Sequence, residues 1–85
     1  MNLDHITVLV TGASRGAGAA IAKSCAKYGA KVVLHYNGGR AKADAVAKEI
    51  GANAIALVQE DLSQAGAGTR LWAKAKEAAG GEINA

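Results

Sequence analysis

Apolar residues along this chain arrive in two alternating rhythms. Three short unbroken runs, Ile6 to Val10, Lys31 to Tyr36 and Ala54 to Val58, have the β-branched and aliphatic composition of strands buried on both faces. Between them, apolar positions recur every three or four residues, the period of a half-buried helix. Ala19 to Tyr28 reads as such a helix, with Ile21, Ala22 and Cys25 on one face, Lys23 and Lys27 on the other, and Gly29 to stop it. Arg40 to Ile50 is a second, with Ala43, Val46, Ala47 and Ile50 inward, Lys42, Asp44, Lys48 and Glu49 outward, and Gly51 at its end. The third is weaker: Gly66 and Gly68 loosen its start, and Ala67, Leu71, Ala75 and Ala78 make a modest inward stripe with Trp72 beside it.

The order strand, helix, strand, helix, strand, helix is half of a doubly wound α/β sheet. Right-handed crossovers place its parallel strands in the order 3-2-1. The carboxyl end of the first strand then carries the stretch on which the chain turns, Thr11-Gly12-Ala13-Ser14-Arg15-Gly16-Ala17-Gly18. Gly12 allows a tight exit from the strand, Gly16 an unobstructed approach of backbone to ligand, and Gly18 a close seat for the helix. The free N–H groups and positive dipole end of that helix suit a phosphate. The spacing is neither G-x-G-x-x-G nor a P-loop, since no G-K-[ST] follows; a purely geometric strand-to-helix connection is the competing reading.

This stretch resembles the T-G-x-x-x-G-x-G motif of the short-chain dehydrogenase/reductase family, in the T-G-A-S-R-G spelling common among its NADP-dependent reductases, β-ketoacyl carrier-protein reductases included. The similarity runs through essentially all of the chain but covers only the front portion of such an enzyme. It implies a Rossmann fold, a nicotinamide dinucleotide and hydride transfer at a carbonyl or alcohol. By the same resemblance, Gly12, Ser14, Arg15, Gly16, Ala17 and Gly18 belong to the cofactor-binding turn, and Arg15 is an NADP-associated feature. The family also implies a catalytic Ser, a Y-x-x-x-K pair and an N-N-A-G stretch. Neither Tyr28 nor Tyr36 has Lys four residues on, and N-N-A-G is expected only beyond Gly80-Gly81-Glu82-Ile83-Asn84-Ala85. The chain by itself is therefore expected to bind NADP and to be inactive, either as the binding portion of a longer oxidoreductase or as a minimal scaffold.

A site that prefers NAD places Asp or Glu about 20 residues past the glycines, to bind the ribose hydroxyl. Here that place holds Tyr36, flanked by His35 and Asn37, with no carboxylate. Arg15 and Arg40 are candidate partners of the 2′-phosphate of NADP. An exposed residue at a helix start is the alternative for Arg40, and a capping or surface role suffices for His35. After the third strand, Asp61-Leu62 matches the family's adenine pocket, with Asp61 as acceptor and Leu62 near the ring. Asp61 or Ser63 alternatively caps the next helix.

Composition narrows the remainder. Apolar residues make up 51% of the 85, but so many are Ala that the core of this one partial dinucleotide-binding domain, residues 1–85, should be thin. A chain this short buries only about 60% of its unfolded surface. One Cys excludes an internal disulfide and fits the cytoplasm, as does the lack of a signal sequence or membrane span. The net charge of +3 is dispersed, which suits an anionic ligand better than nucleic acid. No metal-ligand spacing is present. Finally, the outer edge of the first strand, Ile6 to Val10, is expected to be unpaired and apolar, with Ile21 and Leu71 partly bare. Self-association is expected there, preferably through antiparallel pairing of two first strands, with exchange of terminal elements as the rival.

Overall fold

The computed structural model describes residues 2–85, so Met1 of the expected unit lies outside the described residues. The elements are β1 (Thr7–Val10), α1 (Gly16–Lys27), β2 (Lys31–Tyr36), α2 (Arg40–Ile50), β3 (Ala54–Gln59) and α3 (Ala67–Ala79). β2 lies between β1 and β3, and both pairings are parallel, which is the expected 3-2-1 order. Val10 stands opposite Leu34 and Tyr36 opposite Gln59, so β2 and β3 end level at the carboxyl edge and β1 turns away two residues earlier.

The central strand is apolar from Val32 to Leu34 because both its faces are covered. Side chains alternate across a strand. Val32 and Leu34 therefore join Val10, Ala19, Ala22 and Val46 under α1 and α2, while Val33 joins Val58, Leu71 and Ala75 under α3. Val32, Val33 and Leu34 are the largest fully buried side chains, and seven of the sixteen buried apolar residues are alanine. The core is as thin as the composition implies.

α1 sits against the turn that leaves β1, and Gly18 makes that possible. A Cβ there would overlap the Gly12 carbonyl oxygen and stand 2.7 Å from the Gly12 carbonyl carbon. At this close approach the buried residues of α1 are the small Ala19 and Ala22, with Cys25 and Ala26 half-buried beside them. Ile21, expected on the apolar face but partly bare, is 53% exposed, because it falls on the flank of α1 that no described element covers. In α3 the inward stripe advances by four residues from Ala67 to Leu71 to Ala75, so Ala79 is half-buried and Ala78, expected inward, is exposed. Leu71, expected to be partly bare, is buried against Val33 and Val58.

The edge of β1 also departs from expectation. Ile6 is not in the strand: its N–H donates to the Leu3 carbonyl in a turn. The rest of the edge is partly occupied. Thr7 N–H donates to Asn84 Oδ1 and Asn84 N–H to the Thr7 carbonyl, both at 2.8 Å, and Leu9 N–H donates to the Ala85 carbonyl at 2.8 Å. Ile83 anchors this return in the α3-side core. Three of the groups that an antiparallel β1 pairing would use, Thr7 N–H, the Thr7 carbonyl and Leu9 N–H, are thus already bonded within the chain.

At the end of β3, the Glu60 carboxylate is buried between two cations of α3. Arg70 Nη2 lies 3.2 Å from Oε2 and Lys74 Nζ 2.9 Å from Oε1. The Lys74 contact, reinforced by Arg70 against the cost of desolvation, holds this carboxyl below the usual glutamate range. Lys74 is therefore a structural partner of this carboxylate.

Two outcomes are expected. Gly18→Ala must displace α1 from the turn and should cost roughly 1–3 kcal/mol, read as a lower midpoint in urea unfolding; an unchanged midpoint would contradict the close seat. The depressed Glu60 carboxyl stabilises the fold above its unfolded pKa, and that contribution is lost as pH falls through the lower folded value. Thermal midpoints should therefore fall below about pH 4.3, and less steeply for Glu60→Gln than for the unsubstituted protein; parallel curves would show that the triad carries no linkage.

Candidate functional site

The turn between β1 and α1 is shaped by backbone angles. Gly12 and Gly16 both have φ +61°, a region that L side chains avoid, and open space lies where a Cβ would stand on either. Arg15 precedes α1 in extended conformation and no side chain caps the helix. The first N–H groups of α1, at Gly16, Ala17 and Gly18, therefore lack intrahelical acceptors, and the dipole of a twelve-residue helix adds positive potential there.

Beside this turn lies a cavity of about 430 Å³. Gly12, Ser14 and Arg15 form one wall; His35, Asn37, Gly38, Gly39 and Lys42, from the end of β2 and the start of α2, form the other. Two cations and no carboxylate line it. The sequence reading of Gly12, Ser14, Arg15 and Asn37 as neighbours is thus matched by their placement. Asn37 is steadied by Gln59, whose Nε2 donates to Asn37 Oδ1 at 3.2 Å.

Other expected residues stand elsewhere. Arg40 folds back along its own helix start: Nη1 donates to the Tyr36 hydroxyl at 2.9 Å and the guanidinium lies 5.8 Å above the ring centroid. Tyr36 is 5% exposed, with its hydroxyl occupied by this bond. Neither lines the cavity, and Lys42, read from the pattern as an outward residue of α2, does. The physical reason is local: the turn from Asn37 to Gly39 brings the Arg40 guanidinium back over the Tyr36 ring, where the hydroxyl accepts from it.

Asp61 and Leu62 lie past the end of β3, outside the cavity wall. Asp61 closes a turn on itself, accepting from Ser63 N–H at 2.9 Å and from Ser63 Oγ at 2.7 Å, and these bonds hold its carboxyl below the usual aspartate range. Ser63 does not cap α3, which begins at Ala67 behind Gly66. Leu62 is 46% exposed and free to meet a planar ligand.

The residue that the sequence reading missed is His35. It is 3% exposed, not a surface group, and both ring nitrogens are engaged. Nδ1 accepts the Gly12 N–H at 3.0 Å, Nε2 lies 2.8 Å from the Glu60 carbonyl oxygen, and the His35 carbonyl accepts the Ala13 N–H at 2.8 Å. The signal was a polar residue ending a strand buried on both faces, which must find partners.

Among the described residues, no group of acidic, His or Cys side chains is arranged to hold a metal, and no helix is long and apolar enough to cross a membrane. What the arrangement offers is anion recognition: open helix N–H groups, a turn held at positive φ and two cations.

Comparison with known proteins agrees with this geometry. The family model described as short chain dehydrogenase matches residues 6–85. An L-rhamnose 1-dehydrogenase (NAD(P)(+)) of Azotobacter vinelandii is 49% identical over 80 residues, which is 87% of this chain and 31% of that protein. An uncharacterized oxidoreductase of Methylorubrum extorquens is 54% identical over 66 residues, 74% of this chain and 26% of that one. The crystal structure of a 3-oxoacyl (acyl-carrier-protein) reductase from Agrobacterium tumefaciens with NADP bound superposes with a TM-score of 0.83 at 43% identity, covering 99% of this chain and 34% of the reductase. The chain spans about a third or less of the length of these relatives. The fold is that of the reductase, and the chain belongs to the short-chain dehydrogenase family.

Proposed function

We propose that residues 1–85 are the dinucleotide-binding portion of a cytoplasmic oxidoreductase and take NADP in preference to NAD. The observation that carries this reading is the cavity between the two helix starts, with Arg15 and Lys42 on its walls and no carboxylate to repel a 2′-phosphate. The pyrophosphate would lie over Gly12 to Gly18 at the start of α1, the 2′-phosphate between Arg15, Asn37 and Lys42, and the adenine toward Asp61 and Leu62. Arg40 contributes by bracing Tyr36 rather than by touching phosphate. The reductase of similar fold that holds NADP supports the choice of cofactor.

Within these residues no tyrosine is followed by Lys at the fourth position, so hydride chemistry belongs to a longer oxidoreductase acting on carbonyl or alcohol substrates. That second reading is favoured by the relatives' threefold greater length. Self-association is part of the same proposal, but its support shifts from the β1 edge to the exposed apolar Ile21 and Trp72.

Calorimetric titration with both cofactors tests the central reading. NADP should bind about tenfold tighter than NAD, a difference of about 1.4 kcal/mol, and Arg15→Glu should weaken NADP far more than NAD. Equal or tighter binding of NAD would overturn it. Sedimentation equilibrium should show species heavier than the 8.5 kDa chain, and a folded monomer at high concentration would remove the association.

A further inference from the structure

One ionisable group is built into the site without any part in the reading above. His35 sits at the carboxyl end of the central strand, 3% exposed. Nδ1 meets the Gly12 N–H at 3.0 Å and Nε2 meets the Glu60 carbonyl oxygen at 2.8 Å. An amide N–H only donates and a carbonyl only accepts, so the two contacts together select the neutral tautomer with its proton on Nε2. In the imidazolium both nitrogens are donors, and a proton on Nδ1 would point at the Gly12 N–H.

We propose that neutral His35 is a positioning residue for the dinucleotide: its Nδ1 holds Gly12 in the turn over the start of α1, and protonation of the ring releases that turn and weakens nucleotide binding. The inference rests on the dinucleotide reading of the site. The Gly12 N–H otherwise has no backbone acceptor, while the adjacent Ala13 N–H is held by the same residue's carbonyl, so two successive amides of the turn depend on His35.

The charged groups around the ring come from each neighbouring element. Arg15 of the turn and Lys42 of α2 line the same cavity as His35, and both oppose a second positive charge there. Beyond β3, the Glu60 carboxylate would favour it but is bound to Arg70 and Lys74 of α3. Asp61 is committed to Ser63 and Gln64. A purely electrostatic role for the ring would have the opposite sign, since an imidazolium attracts phosphate. The direction of the pH effect therefore separates positioning from charge.

The test compares the unsubstituted protein with His35→Asn and His35→Leu, each checked for folding by circular dichroism. Asn carries an acceptor near the place of Nδ1 and does not titrate. Comparing variants at each pH also cancels the titration of the 2′-phosphate itself, which takes up a proton near pH 6. Between about pH 7.5 and 5.5 the unsubstituted protein should lose NADP affinity by about tenfold more than His35→Asn, because only the imidazole can take up a proton. His35→Leu should bind weakly at both. In the free protein, the hydrogen-exchange protection factor of the Gly12 amide should fall as the ring titrates and be low throughout in His35→Leu. Parallel pH profiles for the unsubstituted protein and His35→Asn, tighter binding at pH 5.5, or a Gly12 protection factor indifferent to the ring would each overturn the inference. If no dinucleotide binds at pH 7.5, the functional reading fails, and the Gly12 amide alone decides whether His35 holds the turn.

Discussion

The carboxyl end of this sheet depends on backbone packed against backbone where α1 meets the turn from β1. No atom fits between Gly18 and the Gly12 carbonyl, so the helix starts as near to the sheet as a polypeptide can. That proximity has two effects. It brings the unpaired N–H groups and positive dipole end of α1 beside the cavity that also holds Arg15 and Lys42. It also puts the small Ala19 and Ala22 at the buried face of α1, with Cys25 and Ala26 half-buried beside them. The small residues under α1 and the anion site thus go with the same contact.

Charge is sorted around that contact. Lys23 pairs with Glu49, Lys48 with Asp44, and Arg70 and Lys74 with Glu60. Of the cations without such an ion pair among the described residues, Arg15 and Lys42 stand on the cavity wall, while Lys27, Lys31, Arg40 and Lys76 stand elsewhere. The modest net charge of the chain therefore understates the positive potential where a phosphate would lie.

Much of this was legible in the sequence, and the exceptions share a cause. β2 and α2 begin and end where the pattern put them, because Gly29, Gly39 and Gly51 break the backbone on either side. β1 and β3 shift by a single residue at one end. What the pattern could not supply was partnership across the chain. His35 reads as a surface group until Gly12, 23 residues before it, and Glu60, 25 after, come to its two nitrogens. Arg40 and Lys42 are two positions apart and indistinguishable as cations; the buried Tyr36 hydroxyl takes one and leaves the other to the cavity. The edge of β1 reads as bare because nothing local to Asn84 and Ala85 announces that they will lie along it.

The central claim is that the turn held by Gly12 and Gly18, together with the start of α2, forms one anion-binding surface. Amide chemical-shift mapping during an NADP titration tests it most directly. The account predicts that the perturbed amides are those of Gly12 to Gly18 and Asn37 to Lys42. A second hollow, between α1 and α2 at the opposite end of the sheet, is lined by Lys23, Lys27, Glu49 and Asn53. Perturbation centred there, with the glycine turn unmoved, would contradict the account.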